Sequence, residues 1–328
     1  MTARDSADVI VVGGGVAGLT TAVELAERGR RVRVWTRAPA ERTTSAVAGG
    51  LWWPYRVEPR SLVDAWSLTS LGVYEELARR DGRGDGGGGA AGVRMVEGVH
   101  AGVRLAELGP WAGRVPGLRE VTRAEHDGVG VRARLPLIDM PVHLAWLRER
   151  LLAAGGAVEV RTAKGLDEPL AEAPCVVNCS GLGARDLVPD DSVRPVRGQL
   201  VVVENPGVDT WFTAVDSESA DTTYLLPQPG GLILGGTAED GDWSLEPDPA
   251  TAEAIVRRCA RVRPEVAGAR ILEHRVGLRP ARPAVRLERE HLGAGRLVVH
   301  NYGHGGAGVT VAWGCARDAA RLVMDPDG

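Results

Sequence analysis

Gly13, Gly15 and Gly18 stand in the order G-x-G-x-x-G between the apolar run Asp8–Val12 and the helix-forming stretch Leu19–Arg28. That spacing suits a pyrophosphate. One glycine makes the turn, one lets backbone N–H groups approach phosphate oxygens, and one lets the helix pack closely on the strand. Val16 and Ala17 lie inside the same turn, where the helix dipole favours an anion. The plain alternative is a glycine turn that only packs a helix on a sheet; its place between a strand and a helix favours dinucleotide binding.

A second glycine loop, Gly303, Gly305, Gly306 and Gly308 followed by Val309 and Thr310, precedes the last helical stretch. Two sets of backbone donors so far apart in the chain suit a large cofactor, and a helix N-terminus there would stabilise negative charge on a reduced isoalloxazine ring. The second strand ends Trp35-Thr36-Arg37 where Asp or Glu usually reads a ribose. Thr36 can hydrogen-bond a ribose hydroxyl, and Arg37 can reach a phosphate or stack on adenine, so the first motif alone leaves FAD and NADP open. His300 and His304 are four apart, but in a glycine loop that spacing makes no helix face. No carboxylate or cysteine completes a set, and no metal is expected.

The elements that position these loops repeat at both ends of the chain. Asp8–Val12, Leu19–Arg28 and Arg30–Trp35 read as strand, helix and strand, the opening unit of a doubly wound sheet. Arg296–His300 and Val309–Leu322 read as a closing strand and helix. Between them, helical patterns are expected over Leu62–Arg80, His143–Ala154 and Ala250–Arg261. Short strands are expected at Val158–Arg161, Cys175–Asn178, Gln199–Val203 and Leu232–Leu234, the last two antiparallel in style. The expected fold class is α/β: a Rossmann-like FAD-binding domain with a parallel sheet, interleaved with an α+β substrate domain whose mixed sheet is largely antiparallel. Residues 1–55, 136–196 and 276–328 would form the first domain, and 56–135 and 197–275 the second.

Composition narrows the function. The 328 residues carry 39 basic and 43 acidic side chains, a net charge of −4 that argues against nucleic acid. No apolar run approaches the roughly 18 residues of a membrane span, and the polar, acidic Met1–Asp8 does not read as a secretory signal. Four cysteines are few for this length, which points to a reducing interior and a cytoplasmic location. Asp81–Gly92 reads as a glycine-rich surface linker, and its Arg83-Gly84-Asp85 tripeptide as solvated chain without adhesive function.

Several further blocks occur in one order along nearly the whole chain. They are Thr43-Thr-Ser45, Ala48-Gly-Gly-Leu-Trp-Trp-Pro-Tyr55, Val177-Asn-Cys-Ser-Gly181, Val196-Arg-Gly-Gln199, Tyr224-Leu-Leu-Pro227, Gly277-Leu-Arg-Pro280 and His300-Asn-Tyr-Gly-His-Gly-Gly306. With the glycine fingerprint they resemble the D-amino-acid oxidase family. The resemblance implies non-covalent FAD and oxidative deamination of a D-amino acid by O2 to a 2-oxo acid, ammonia and hydrogen peroxide. It also implies hydride transfer from Cα to flavin N5 with no catalytic acid or base. The implied cofactor contacts are Gly13, Gly15, Val16, Ala17, Gly18, Thr36, Arg37, Thr43, Thr44, Ser45, Gly49, Gly50, Leu51, Gly181, Arg279, Gly303, Gly305, Gly306, Gly308, Val309 and Thr310.

The substrate contacts that the resemblance implies are Arg279 and Tyr224 on the α-carboxylate and the Gly306 carbonyl on the amine, with Leu51, Trp53 and Leu226 around the side chain. An arginine fork suits a planar carboxylate; a buried core tyrosine is the plain alternative for Tyr224, and Trp52, Trp53 and Tyr55 read equally as core. Trp53 stands where other members carry a polar residue. Ala220 stands where many eukaryotic members carry a lid tyrosine, so a tyrosine gate is not expected. Related D-aspartate oxidases have an arginine just after the Gly-Gly-Thr turn; here Gly235-Gly-Thr237 is followed by Ala238-Glu239-Asp240, which would repel an acidic side chain. The expected substrates are therefore neutral or apolar D-amino acids. A glycine- or sarcosine-type amine oxidase and a D-aspartate oxidase are the alternatives, with a nucleotide-binding module lacking turnover behind them. Cys259 and Cys315 fall in helical patterns, away from a covalent flavin link, and the resemblance leaves a homodimer open.

Overall fold

Val9–Val12 (β1) consists of four buried β-branched residues, the pattern of a strand covered on both faces. In this computed structural model, which describes residues 7–81, 90–215, 222–293 and 295–325, it is the centre of a parallel array. The Arg83-Gly84-Asp85 tripeptide and Ala220 lie outside the described residues. Val32–Thr36 (β2) runs parallel to β1 on one side. The remaining strands, in chain order, are Val93–Ala101 (β3), Arg119–Glu120 (β4), Gly130–Ile138 (β5), Ala157–Val160 (β6), Cys175–Asn178 (β7) and Arg194–Val203 (β8). They are followed by Trp211–Val215 (β9), Thr222–Gln228 (β10), Gly231–Gly235 (β11), Glu239–Asp240 (β12), Ile271–His291 (β13) and Leu297–His304 (β14).

The parallel half has the order β14-β7-β1-β2-β6. Side-chain alternation splits its core between two faces. Val9, Val11, Val177 and Val299 pack with Leu19, Val23, Leu144, Leu147 and Ala312 from helices Val16–Glu27, Met140–Ala153 and Gly308–Met324. Ile10, Val12, Trp35, Val176 and Val298 pack on the opposite face with Leu170. The other half, β4-β5-β3-β9-β10-β11-β8, is antiparallel except where β3 and β9 run parallel.

The two halves are one continuous sheet. β13 pairs with β8 from Ile271 to Ala281 and then with β14 from Ala281 to His291. This strand, like β3 and β5, is absent from the sequence reading: it carries Pro280 and Pro283 and long charged side chains, which hide its period. The helix at Leu19–Arg28 begins earlier than its apolar pattern, at Val16, because the glycine turn itself supplies its first turn. The helix at His143–Ala154 likewise starts at Met140, where Asp139 caps it and Pro141 sits in the first turn.

In the antiparallel half one face is sealed by helix Pro249–Val262. Val201, Val203, Leu225, Leu232 and Leu234 bury against Ala252, Ile255 and Cys259. The opposite face carries Tyr224 and Leu226 and turns toward the parallel half. Among the described residues no helix is long and apolar enough to cross a membrane.

Three buried histidines give this fold an acid limit. Burial lowers His100, His143 and His304 to about 4. Unfolded histidines take up protons near pH 6.5 while the folded ones remain neutral, so stability falls as pH drops from 6.5 to 4. Each contributes a loss of roughly 3 kcal/mol by pH 4. A melting temperature that declines through this interval is the expected result, and a flat one would contradict it.

Candidate active site and cofactor cradle

Four loops leave the carboxyl ends of neighbouring parallel strands: Gly13 after β1, Thr36-Arg37 after β2, Cys179–Gly181 after β7 and Gly305–Gly308 after β14. This is the edge at which open α/β sheets take ligands. Gly13 has φ +122°, and a Cβ there would overlap the Cys179 carbonyl. A Cβ on Gly18 would overlap the Gly13 carbonyl, and one on Gly15 would lie 2.9 Å from Ser45 Oγ. The turn therefore has no room for side chains. Helices Val16–Glu27 and Gly308–Met324 both begin without a side-chain cap, leaving N-terminal N–H groups for a ligand. The loops from the two ends of the chain meet, since a Cβ on Gly308 would stand 3.8 Å from Val16 Cγ1. Paired helix N-termini behind glycine walls fit the pyrophosphate and ring of FAD.

Several hydroxyls assigned to the cofactor are used inside the protein. Thr36 donates to the Ala38 carbonyl at 2.7 Å and Thr43 to the Ala40 carbonyl at 2.6 Å. Ser45 accepts the Val16 N–H at 3.0 Å, which fixes the glycine turn. Thr310 accepts from Trp53 N–H and donates to Trp53 C=O, pinning the 49–55 segment to the last helix. For a ribose Thr36 has only lone pairs to offer, because its proton is committed. Arg37 is exposed at the end of β2, and Gly181, at φ +58°, packs on Pro280.

The segment 49–55 is extended and forms one wall of a cleft. Trp52 is fully buried and donates its indole N–H to the Ser67 carbonyl, while Leu51, Trp53 and Tyr55 are half-buried on the alternate side. A Cβ on Gly49 would meet Leu226 Cδ1 at 2.5 Å and Tyr224 Cε2 at 4.0 Å, and one on Gly50 would overlap the Ile138 carbonyl. Tyr224 lies flat over Gly235 and Gly236, and Arg279 lies flat over Gly198, so neither floor tolerates a side chain. Gly306 faces Arg279 Cδ and the Tyr55 ring, whose buried hydroxyl has no partner among the described residues. The structure thus sets Tyr224 and Leu226 against Gly49, and Arg279 and Tyr55 against Gly306.

Arg279 Nη1 donates to the Thr237 carbonyl at 3.0 Å, and among the described residues no carboxylate pairs with it. A half-buried guanidinium that holds backbone carbonyl and the Tyr224 hydroxyl but meets no carboxylate among the described residues is a site for an incoming anion. Burial raises the Tyr224 pKa, against the opposing charges of Arg279 and Arg258, so the phenol stays protonated as a donor. Thr237 is itself fastened to Gln199 through Oγ1 at 3.0 Å.

Glu239 and Asp240 do not repel ligands from this space as the sequence suggests. Glu239 pairs with buried Arg197 at 2.7 Å, and Asp240 with Arg194 at 2.7 Å. Their charge is neutralised on the far side of β8. Gly198, Gly235, Gly236 and Thr237 shape the site yet were absent from the candidate residues; glycines inside strand patterns were their signal. His300 and His304 turn to different partners, Glu290 and Asn301. Cys259 and Cys315 are buried, and burial raises both thiols, Cys259 to about 12.

Comparison with known proteins follows the same outline. Residues 8–322 match the FAD dependent oxidoreductase family. A D-amino-acid oxidase of Streptomyces coelicolor is 68% identical over 317 residues, 96% of each chain. One from Rubrobacter xylanophilus is 49% identical over 98% of each. The crystal structure of glycine oxidase from Geobacillus kaustophilus superposes with a TM-score of 0.80 at 21% identity, covering 97% of this chain and 94% of the other, a likeness of fold.

Proposed function

The chain belongs to the D-amino-acid oxidase family of FAD dependent oxidoreductases, and we propose that it oxidises neutral or apolar D-amino acids to 2-oxo acids, ammonia and hydrogen peroxide. The observation that carries this reading is the Arg279 guanidinium, flat over Gly198 beside Tyr224 and without a carboxylate of its own. Bound FAD supplies the two-electron acceptor for the Cα–H bond and returns those electrons to O2. The cradle would hold it through the backbone of Gly13–Gly18 and Gly303–Val309, with Arg37 at the adenosine end.

The chain's own residues bind and orient. Arg279 takes the substrate carboxylate with its guanidinium, and Tyr224 donates a further hydrogen bond to the same group. The Gly306 carbonyl accepts from the amine, so three points fix the direction of Cα–H. No acid or base is required once the amine arrives neutral. The half-buried Leu51, Trp53 and Tyr55 and the buried Leu226 exclude water from the reacting carbon.

Neutral side chains are favoured because no basic residue lies on β9, β10 or β11, and Arg197 is occupied by Glu239. The missing second cation on β9, β10 and β11 separates this reading from a D-aspartate oxidase. A division into a cofactor domain (1–55, 136–196, 276–328) and a substrate domain (56–135, 197–275), a cytoplasmic location and a homodimer belong to the same proposal.

The test is a visible spectrum of purified protein followed by anaerobic addition of D- and L-alanine. Bleaching of a flavin band by the D form alone is the expected result. A protein that takes up FAD and is bleached by neither, or by D-aspartate in preference to D-alanine, would refute the reading.

A further inference from the structure

Beyond the carboxylate anchor, the same face of the sheet continues across two more strands. On β10 Tyr224 is directly opposite Thr213 of β9, and Thr213 is opposite His100 of β3, so the three side chains form one row on the same face. Two strand spacings, about 10 Å, separate the Tyr224 and His100 backbones.

His100 is buried and its ring is fixed on two sides. Nδ1 lies 2.6 Å from Thr213 Oγ1, and the Trp53 indole lies against it with ring centroids 4.6 Å apart and tilted by 39°. Trp111 meets Trp53 edge-on at 5.0 Å. Trp53 is half-buried, like Leu51 and Tyr55, and buried Trp52 meets the same Trp111 at 5.7 Å. The Trp53 indole is therefore held between His100 and Trp111.

We propose that His100 is a specificity-determining residue, which acts by clamping Trp53, through Thr213, as the far wall against which a large neutral substrate side chain packs. The inference rests on the proposed D-amino-acid oxidation and deepens it to a substrate class: bulky apolar and aromatic side chains. A methyl side chain stops short of this wall, whereas a benzyl group reaches it, so the clamp acts on one substrate and not the other. Burial keeps the imidazole uncharged at neutral pH, so the wall offers no cation to an acidic side chain.

The experiment compares kcat/KM for D-phenylalanine and D-alanine in the FAD-loaded wild type, His100→Leu and Thr213→Val. Thr213→Val removes only the oxygen that holds the ring and keeps the shape of the strand residue. Both variants are expected to lower the D-phenylalanine to D-alanine ratio about tenfold, the size of an aromatic contact, with the loss mainly in KM for D-phenylalanine. A role confined to folding would lower both substrates together. An active wild type whose ratio is unchanged in Thr213→Val and in His100→Leu overturns this inference alone. A wild type that oxidises neither substrate overturns the proposed activity and this inference with it.

Discussion

Arg279→Ala is expected to keep the flavin spectrum and to lower kcat/KM for D-alanine by about a thousandfold or more. The guanidinium is the only group in the described cleft with both the charge and the planar fork for a carboxylate. A pair of charge-assisted hydrogen bonds at about 2 kcal/mol each gives roughly 4 kcal/mol of transition-state binding. That corresponds to about three orders of magnitude. Arg279→Lys should recover only part, since an ammonium has no fork and cannot lie flat on Gly198 while Thr237 holds its other side. Gly198→Ala is the mirror test: its new Cβ would occupy the space of the guanidinium and should raise KM without disturbing flavin. Steady-state kinetics with the visible spectrum as control decide the matter, and an unchanged kcat/KM in Arg279→Ala removes this residue from the site.

Gly18→Ala should yield a colourless protein. The added methyl would overlap the Gly13 carbonyl, and the first turn of helix Val16–Glu27 cannot move away without parting from Gly13 and Cys179. Opening the turn carries the backbone donors away from the pyrophosphate, and affinity for FAD should fall by about a thousandfold or more, as expected when several phosphate contacts are lost together. Gly72 supplies the control. It lies exposed in helix Arg60–Asp81, where a Cβ meets nothing within 4 Å, and Gly72→Ala should bind FAD normally. Titration of the apoprotein with FAD distinguishes the two, and a yellow Gly18→Ala protein with normal affinity would contradict the cradle.

The carboxyl-edge loops were legible because their constraints are local. A turn that excludes every Cβ must be written in glycine, and a strand buried on both faces must be apolar, so Val9–Val12 and Gly13–Gly18 carry their roles in their residue types. The hydroxyls of Thr36, Thr43, Ser45 and Thr310 were less legible. A threonine near a ligand loop has the same letter whether it faces a ribose or fastens its own backbone, and here all four fasten backbone. Glu239 and Asp240 show the same ambiguity in charge. Two consecutive acids after a glycine turn look repulsive in sequence, yet their charge is balanced once Arg197 and Arg194 meet them.

Residue order and type by themselves determined a doubly wound nucleotide layer closed by both chain ends, its glycine-lined turn, and membership of the D-amino-acid oxidase family. Only the tertiary structure decided that β13 joins the two halves into one sheet, that Gly198 and Gly235 are the floors under Arg279 and Tyr224, and that His100 stands behind Trp53. The reason is range. Turns and strand faces obey rules within a few residues, whereas a floor, a clamp or an ion pair joins positions on different strands, whose pairing is set by the packing of the whole chain.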